Sequence, residues 1–171
     1  MRKINLLILS FLFTLFAGVS FGQTDRESVG TVMDKWHEAA GKADFQAYFD
    51  LMDSTSVFIG TDATERWNKA EFMAYAKPHF DKGKAWNFTS LERNIEFSAD
   101  GKTAWIDELL NTQMKICRGS GVLENINGRW LIKHYVLSMT VPNALVDQVV
   151  PLKSAEEDSI IEKLNINKNR R

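Results

Sequence analysis

Apolar positions recur at two spacings along this chain, helical in the first half and alternating in the second. Val29, Val32, Met33, Trp36 and Ala40 fall three or four apart, and Thr24-x-x-Glu27 ahead of them is a capping-box pattern. A helix is therefore expected from Thr24, ending near Gly41. Asp44 is placed to cap a second, short helix with the stripe Phe45, Tyr48, Phe49 and Met52. Ser56 to Thr61 reads as a short strand. Asn68-x-x-Glu71 opens a third helix with Phe72, Tyr75, Ala76, His79 and Phe80 on one face, and Pro78 bends or ends it near its last turn.

Beyond Gly83 the period becomes two. Trp86 and Phe88 share one parity and Leu91, Ile95 and Phe97 the other, so a bulge is expected near Thr89 and Ser90. Asp100-Gly101 and Asn127-Gly128 are hairpin turns. They divide the region into strands over Thr103–Cys117, Ser120–Asn127 and Arg129–Thr140. From Lys153 the chain turns polar, with a helix expected over Ala155–Leu164 and a frayed end from Asn165 to Arg171.

Two strands carry anomalies. The even positions of the first are Ala104, Ile106, Glu108, Leu110, Thr112, Met114 and Ile116, which puts Glu108 on an apolar face. A carboxylate there needs a partner. Either the register changes and frees it, or it is a polar group on a cavity wall, paired with Arg118, Arg66, Lys133 or a histidine; the cavity is preferred. In Arg129–Thr140 both parities are mostly apolar, so both sides need a cover, and the sheet of a second copy is the simplest one for the outer side. A homodimer is expected.

The N-terminus changes the setting. Arg2 and Lys3 precede a largely apolar run from Leu6 to Val19, with small residues before a cut after Gly22. These are the parts of a signal peptide, and the run is short of the ~20 residues of a bilayer span. The protein is expected to be exported, periplasmic or secreted, with no stable membrane insertion after cleavage. Residues 23–152 form the domain and 153–171 a polar tail. The single cysteine, Cys117, cannot form an internal disulfide and reads as a buried structural thiol. A formal charge of −1 gives no pull toward nucleic acid. His37, His79 and His134 are too scattered for a zinc spacing, Gly119-Ser120-Gly121 lacks the helix and lysine of a phosphate loop, and no metal or cofactor is expected. His37 reads as a solvated helix residue, His79 as a hydrogen-bonded core histidine or else a pocket acid or base, and His134 suits a dimer interface; Tyr48 and Trp67 read as core or else as a ligand platform.

Paired helices, a short strand, a third helix and a curved meander resemble the nuclear transport factor 2-like superfamily. Phe58-Ile59-Gly60-Thr61-Asp62-Ala63-Thr64-Glu65-Arg66-Trp67 with Lys69-Ala70-Glu71-Phe72 is similar to its SnoaL-like branch. Trp130-x-x-x-His134-Tyr135-x-x-Ser138 is similar to that branch's closing strand and to the association domain of calcium/calmodulin-dependent kinase. The resemblance implies an α+β fold, with N-terminal helices packed on a strongly curved antiparallel sheet around a cone-shaped pocket. Set against ketosteroid-isomerase chemistry, the catalytic aspartate would fall near Ile59 and the oxyanion tyrosine near Trp36, which do not supply it; Asp62 lies at the strand's end. Two functions remain compatible. In one, a small-molecule ligand meets the aromatics Tyr48, Trp67, Trp86 and Tyr135 and the polar Asp62, Arg66, Arg118 and His134, with Glu108 and His79 as acid and base. In the other, the domain is a non-catalytic dimerisation module and the polar cluster is structural.

Overall fold

The computed structural model describes residues 19–169. The expected signal peptide lies outside them except for its last four residues. Helix α1 (Val19–Gly41) already contains those, so the pattern at Thr24 sits inside the helix in the uncut chain and does not start it. Its buried face carries Val29, Met33, Trp36, His37 and Ala40.

Helix α2 (Phe45–Asp50) begins as expected, with Asp44 accepting the Ala47 amide at 3.0 Å. It stops before Met52, which opens strand β1 (Met52–Ile59). Strand β2 (Arg66–Asn68) then leads into helix α3 (Lys69–Asp81), whose Asn68–Glu71 capping box is complete. Pro78 lies in its final turn.

Four long strands follow: β3 (Thr89–Phe97), β4 (Thr103–Thr112), β5 (Lys115–Ile126) and β6 (Arg129–Met139). The sheet order is β2-β1-β6-β5-β4-β3, antiparallel except for the β1–β6 pair. The protein is thus α+β, with its N-terminal helices against a curved, unclosed sheet.

Two register changes explain the sequence pattern. The expected bulge in β3 sits at Leu91, between Ser90 and Glu92, and turns that side chain outward. A second bulge at Lys133, between the Val122–His134 and Leu123–Ile132 pairs, switches the buried set of β6 from Trp130 and Ile132 to Tyr135 and Leu137. Much of the two-faced apolarity of β6 is this parity switch.

One turn lies elsewhere than expected. The strand read as Thr103–Cys117 ends at Thr112, and Gln113-Met114 turns the chain. That pair carries no glycine or proline. Instead the Thr112 hydroxyl donates to Lys115 O (2.9 Å) and accepts from the Met114 amide (2.9 Å), while Lys115 takes a φ of 68°.

The described chain divides into two compact units at Met139/Thr140. The second holds a 3₁₀ turn (Asn143–Leu145) and helix α4 (Val146–Lys168). This helix starts ahead of Ala155, runs through Pro151 and passes Leu164, so the expected frayed end is helical to Lys168. A Lys153–Glu157 pair one turn apart, 2.8 Å, braces it. No helix among the described residues is long and apolar enough to cross a membrane.

Candidate functional site

Glu108 stays on the inner face of β4, 1% exposed. A histidine is among its partners, one of the alternatives expected, but none of Arg118, Arg66 and Lys133 is. Oε1 accepts from the Tyr135 hydroxyl at 2.7 Å and lies 2.8 Å from His37 Nε2; Oε2 accepts from Arg93 Nε at 2.9 Å. Arg93 also donates to Asp34 Oδ1 (2.7 Å) and to the Gly30 carbonyl (3.1 Å). One carboxylate therefore joins α1, β3, β4 and β6.

His37, expected in solvent, is 5% exposed. It stands four residues after Met33 and eight after Val29, on the same helical stripe, and it packs beside Trp36 and Phe88. Arg93 has the parity of Ile95 and Phe97 and pairs directly across the ladder with Glu108.

Burial pushes the Glu108 carboxyl upward. The hydrogen bond and charge of His37, the charge of Arg93 and the Tyr135 hydroxyl outweigh it and hold the group below the usual glutamate range. Tyr135 is raised well above the ordinary phenol value, first by burial and then by the Glu108 charge. An ionised carboxylate can only accept, so Nε2 of His37 is the donor in this contact. Nδ1 is then the ring atom left for other contacts.

Gly119 and Gly121 have a packing role in this cluster. Gly119 faces Glu108 across the β4–β5 ladder. A Cβ there would overlap the Tyr135 hydroxyl and sit 2.7 Å from its Cζ, and one at Gly121 would come 3.1 Å from Tyr135 Cδ2. The glycines leave β5 flat where the tyrosine ring lies on it.

Two adjoining hollows open beside the cluster. The larger, about 660 Å³, is lined by His37, Gly41, Lys84, Asn87 and others. The smaller, about 180 Å³, has mainly aromatic and apolar walls, among them Trp67, Phe72, Tyr75 and Met114, with Glu65 at its edge. Trp86, Phe88 and Gln113 line both. The misplaced turn is thus the one that delivers Gln113 to the shared wall.

Of the residues expected to bind a ligand, Trp67 and Trp86 line a hollow. Tyr48 does not. It is 1% exposed, stacked on Trp36 with centroids 4.8 Å apart, inside the core. Tyr135 is buried at Glu108. Asp62, Arg66 and Arg118 are exposed, and Asp62 spends its carboxylate on Thr64 (Oγ1 at 2.5 Å and the amide at 2.8 Å). Arg118 alternates with buried Cys117 and Gly119 and so points off the outer face of β5; Cys117 is the buried thiol expected. His134 is half-buried on the outer side of β6. His79, the expected partner of Glu108, is exposed on α3 and contacts Tyr75 at a centroid distance of 5.5 Å. The structure does not bring it to Glu108.

A family model described as a SnoaL-like domain matches residues 29–142. No curated protein matches the sequence. An NTF2-like protein of unknown function from Pseudomonas putida KT2440 superposes with a TM-score of 0.60 at 12% identity, over 71% of this chain and 90% of that one. The association domain of C. elegans CaMKII gives a TM-score of 0.57 at 19% identity, over 68% and 97%. An NTF2-like protein from Cytophaga hutchinsonii gives 0.56 at 16% identity, over 67% and 98%. At these identities the similarity is one of fold.

Proposed function

The chain belongs to the SnoaL-like domain family, and from that premise we propose that it is an exported domain that binds a small, partly apolar molecule in the paired hollows. The observation that carries this reading is the common wall. Trp86, Phe88 and Gln113 join an aromatic lobe to a polar one that contains His37, whose orientation Glu108 fixes. The ligand's apolar part lies against Trp67 and Trp86, and its polar atoms reach Gln113, Asn87 and His37. In place of the Glu108–His79 pair, His37 backed by Glu108 is the group positioned to give or take a proton.

Native mass spectrometry of the protein purified from the producing cells tests the binding. A co-purified small molecule lost on Trp86→Ala supports it; an empty wild-type protein that also takes up no apolar probe rejects it. Export follows from residues 1–22, and the mature protein recovered outside the cytoplasm is expected to begin at Gln23.

A second reading, a homodimer, has its own observation. Trp105, Val122, His134 and Val57 form one row across the outer sheet face, and Asp107, Ser120, Val136 and Ile59 the next. Trp105 is 48% exposed on this face. A second copy's sheet would cover the band. Sedimentation equilibrium of wild type against Trp105→Lys checks it, with a dimer converted to monomer as the expected outcome.

A further inference from the structure

The smaller hollow carries a charge pattern that narrows the ligand further. Its walls are mainly the rings of Phe58, Trp67, Phe72, Tyr75, Trp86 and Phe88, with Thr61 and Gln113 as neutral polar neighbours, and the one acidic or basic lining residue is Glu65. That carboxylate is held in place by three features. The Gly60 amide donates to the Glu65 carbonyl at 2.9 Å, closing the loop between β1 and β2. The Asp62 amide donates to Glu65 Oε2 at 3.2 Å. A Cβ at Gly60 would overlap Oε2 and stand 3.0 Å from Glu65 Cβ and Cδ, so the glycine leaves the space into which the side chain folds. No lysine or arginine pairs with Glu65 among the described residues. Its charge reaches the aromatic wall: the Tyr75 hydroxyl is raised by burial first and by Glu65 second.

A fixed negative charge on the rim of an aromatic hollow repels an anion and favours a neutral guest only where that guest donates a hydrogen bond to it. It attracts a cation, and the π-faces of tryptophan and tyrosine add to that attraction. At about 180 Å³ the hollow suits a compact head group. Resting on the ligand-binding reading above, we infer that this lobe recognises a small organic cation of the alkylammonium class, with Glu65 as the counter-charge and Trp67 and Trp86 as the ring walls.

The test compares choline with 3,3-dimethylbutan-1-ol, which has the same shape with carbon in place of the charged nitrogen. Both are titrated into the full mature chain while the indole N–H signals of Trp67 and Trp86 are followed by NMR. Choline is expected to bind at least tenfold tighter than the alcohol, to weaken as salt is raised, and to lose about tenfold on Glu65→Gln. The comparison of two probes on wild type stands even if that variant folds poorly. Equal binding of the two probes, or undiminished choline binding by a folded Glu65→Gln, overturns the cation assignment and leaves the hollow as a ligand site. Indole signals unmoved by either probe overturn both readings.

Discussion

The Glu108 cluster and the smaller hollow each set a glutamate beside a tyrosine and aromatic rings, and they do opposite things. Around Glu108, each carboxylate oxygen meets donors of the chain itself, and four elements are fastened by one buried anion. Around Gln113 and Glu65 the polar groups stand at an open wall of aromatic rings. The first arrangement satisfies both carboxylate oxygens within the chain and leaves Arg93 Nη2 buried without a partner; the second keeps its polar groups open to something else. His37 connects the cluster to the adjoining larger hollow, bonded to Glu108 through Nε2 and lining that hollow. A buried charge is therefore a poor guide to a binding site until its partners are known.

The largest expected effect tests the closed half of this contrast. Arg93→Met leaves Glu108 buried without its guanidinium and unfastens Asp34 and Gly30 of α1. Stripping one partner from a buried pair costs about 3–5 kcal/mol, measured here by urea unfolding. A loss below about 1 kcal/mol would mean that the cluster does not hold α1 to the sheet. Gly119→Ala comes next. The added methyl displaces the Tyr135 ring, and overpacking of this kind costs roughly 1–3 kcal/mol. Combined with Tyr135→Phe, the two losses are expected to be less than additive, since both break the same hydroxyl–carboxylate bond.

Much of this contrast could be read from the residues alone, and the limits are physical. Alternation placed Glu108 inward. The same alternation marks Arg93, and a two-residue turn at Asp100-Gly101 pairs 99 with 102 and hence 93 with 108, as observed. The partner was therefore legible without a structure. His37 was legible too, from its distance to Val29 and Met33. The Gln113-Met114 turn was not. It is made by a threonine hydroxyl and a left-handed lysine, which no turn propensity flags. Nor could alternation tell that glycines 119 and 121 make room for a ring arriving from another strand, since that contact is tertiary.

Acid sharpens the comparison through the same carboxylate. Glu108 is held below the ordinary glutamate range in the native protein. It thus adds stability at pH values above the unfolded value of about 4.3, and that stability is lost as pH falls through the lower native value. The contribution is roughly 1.4 kcal/mol for each pH unit by which the carboxyl is depressed. The gap in unfolding free energy between wild type and Glu108→Gln is expected to be full at pH 7 and to close on acidification below about 4.3. A gap that stays constant to pH 3 would show that hydrogen-bond geometry, not ionisation, sets the worth of the cluster.

The smallest change in stability belongs to the open half. Gln113 is exposed at its turn, and the bonds that hold that turn come from Thr112. Gln113→Ala is expected to shift the unfolding free energy by no more than about 0.5 kcal/mol, the range of an ordinary surface substitution. If the shared wall is a binding surface, the same variant weakens uptake of whatever molecule co-purifies, because an amide that orients the guest has gone. Thr112→Val inverts the pattern: it breaks the turn's hydroxyl bonds, costs about 1 kcal/mol or more, and moves Gln113 as a consequence. Thermal unfolding and native mass spectrometry on the two variants separate the roles. Should Gln113→Ala destabilise as much as Thr112→Val, the wall would be another structural joint like Glu108, and the division between the closed cluster and the open hollow would fail at its most exposed residue.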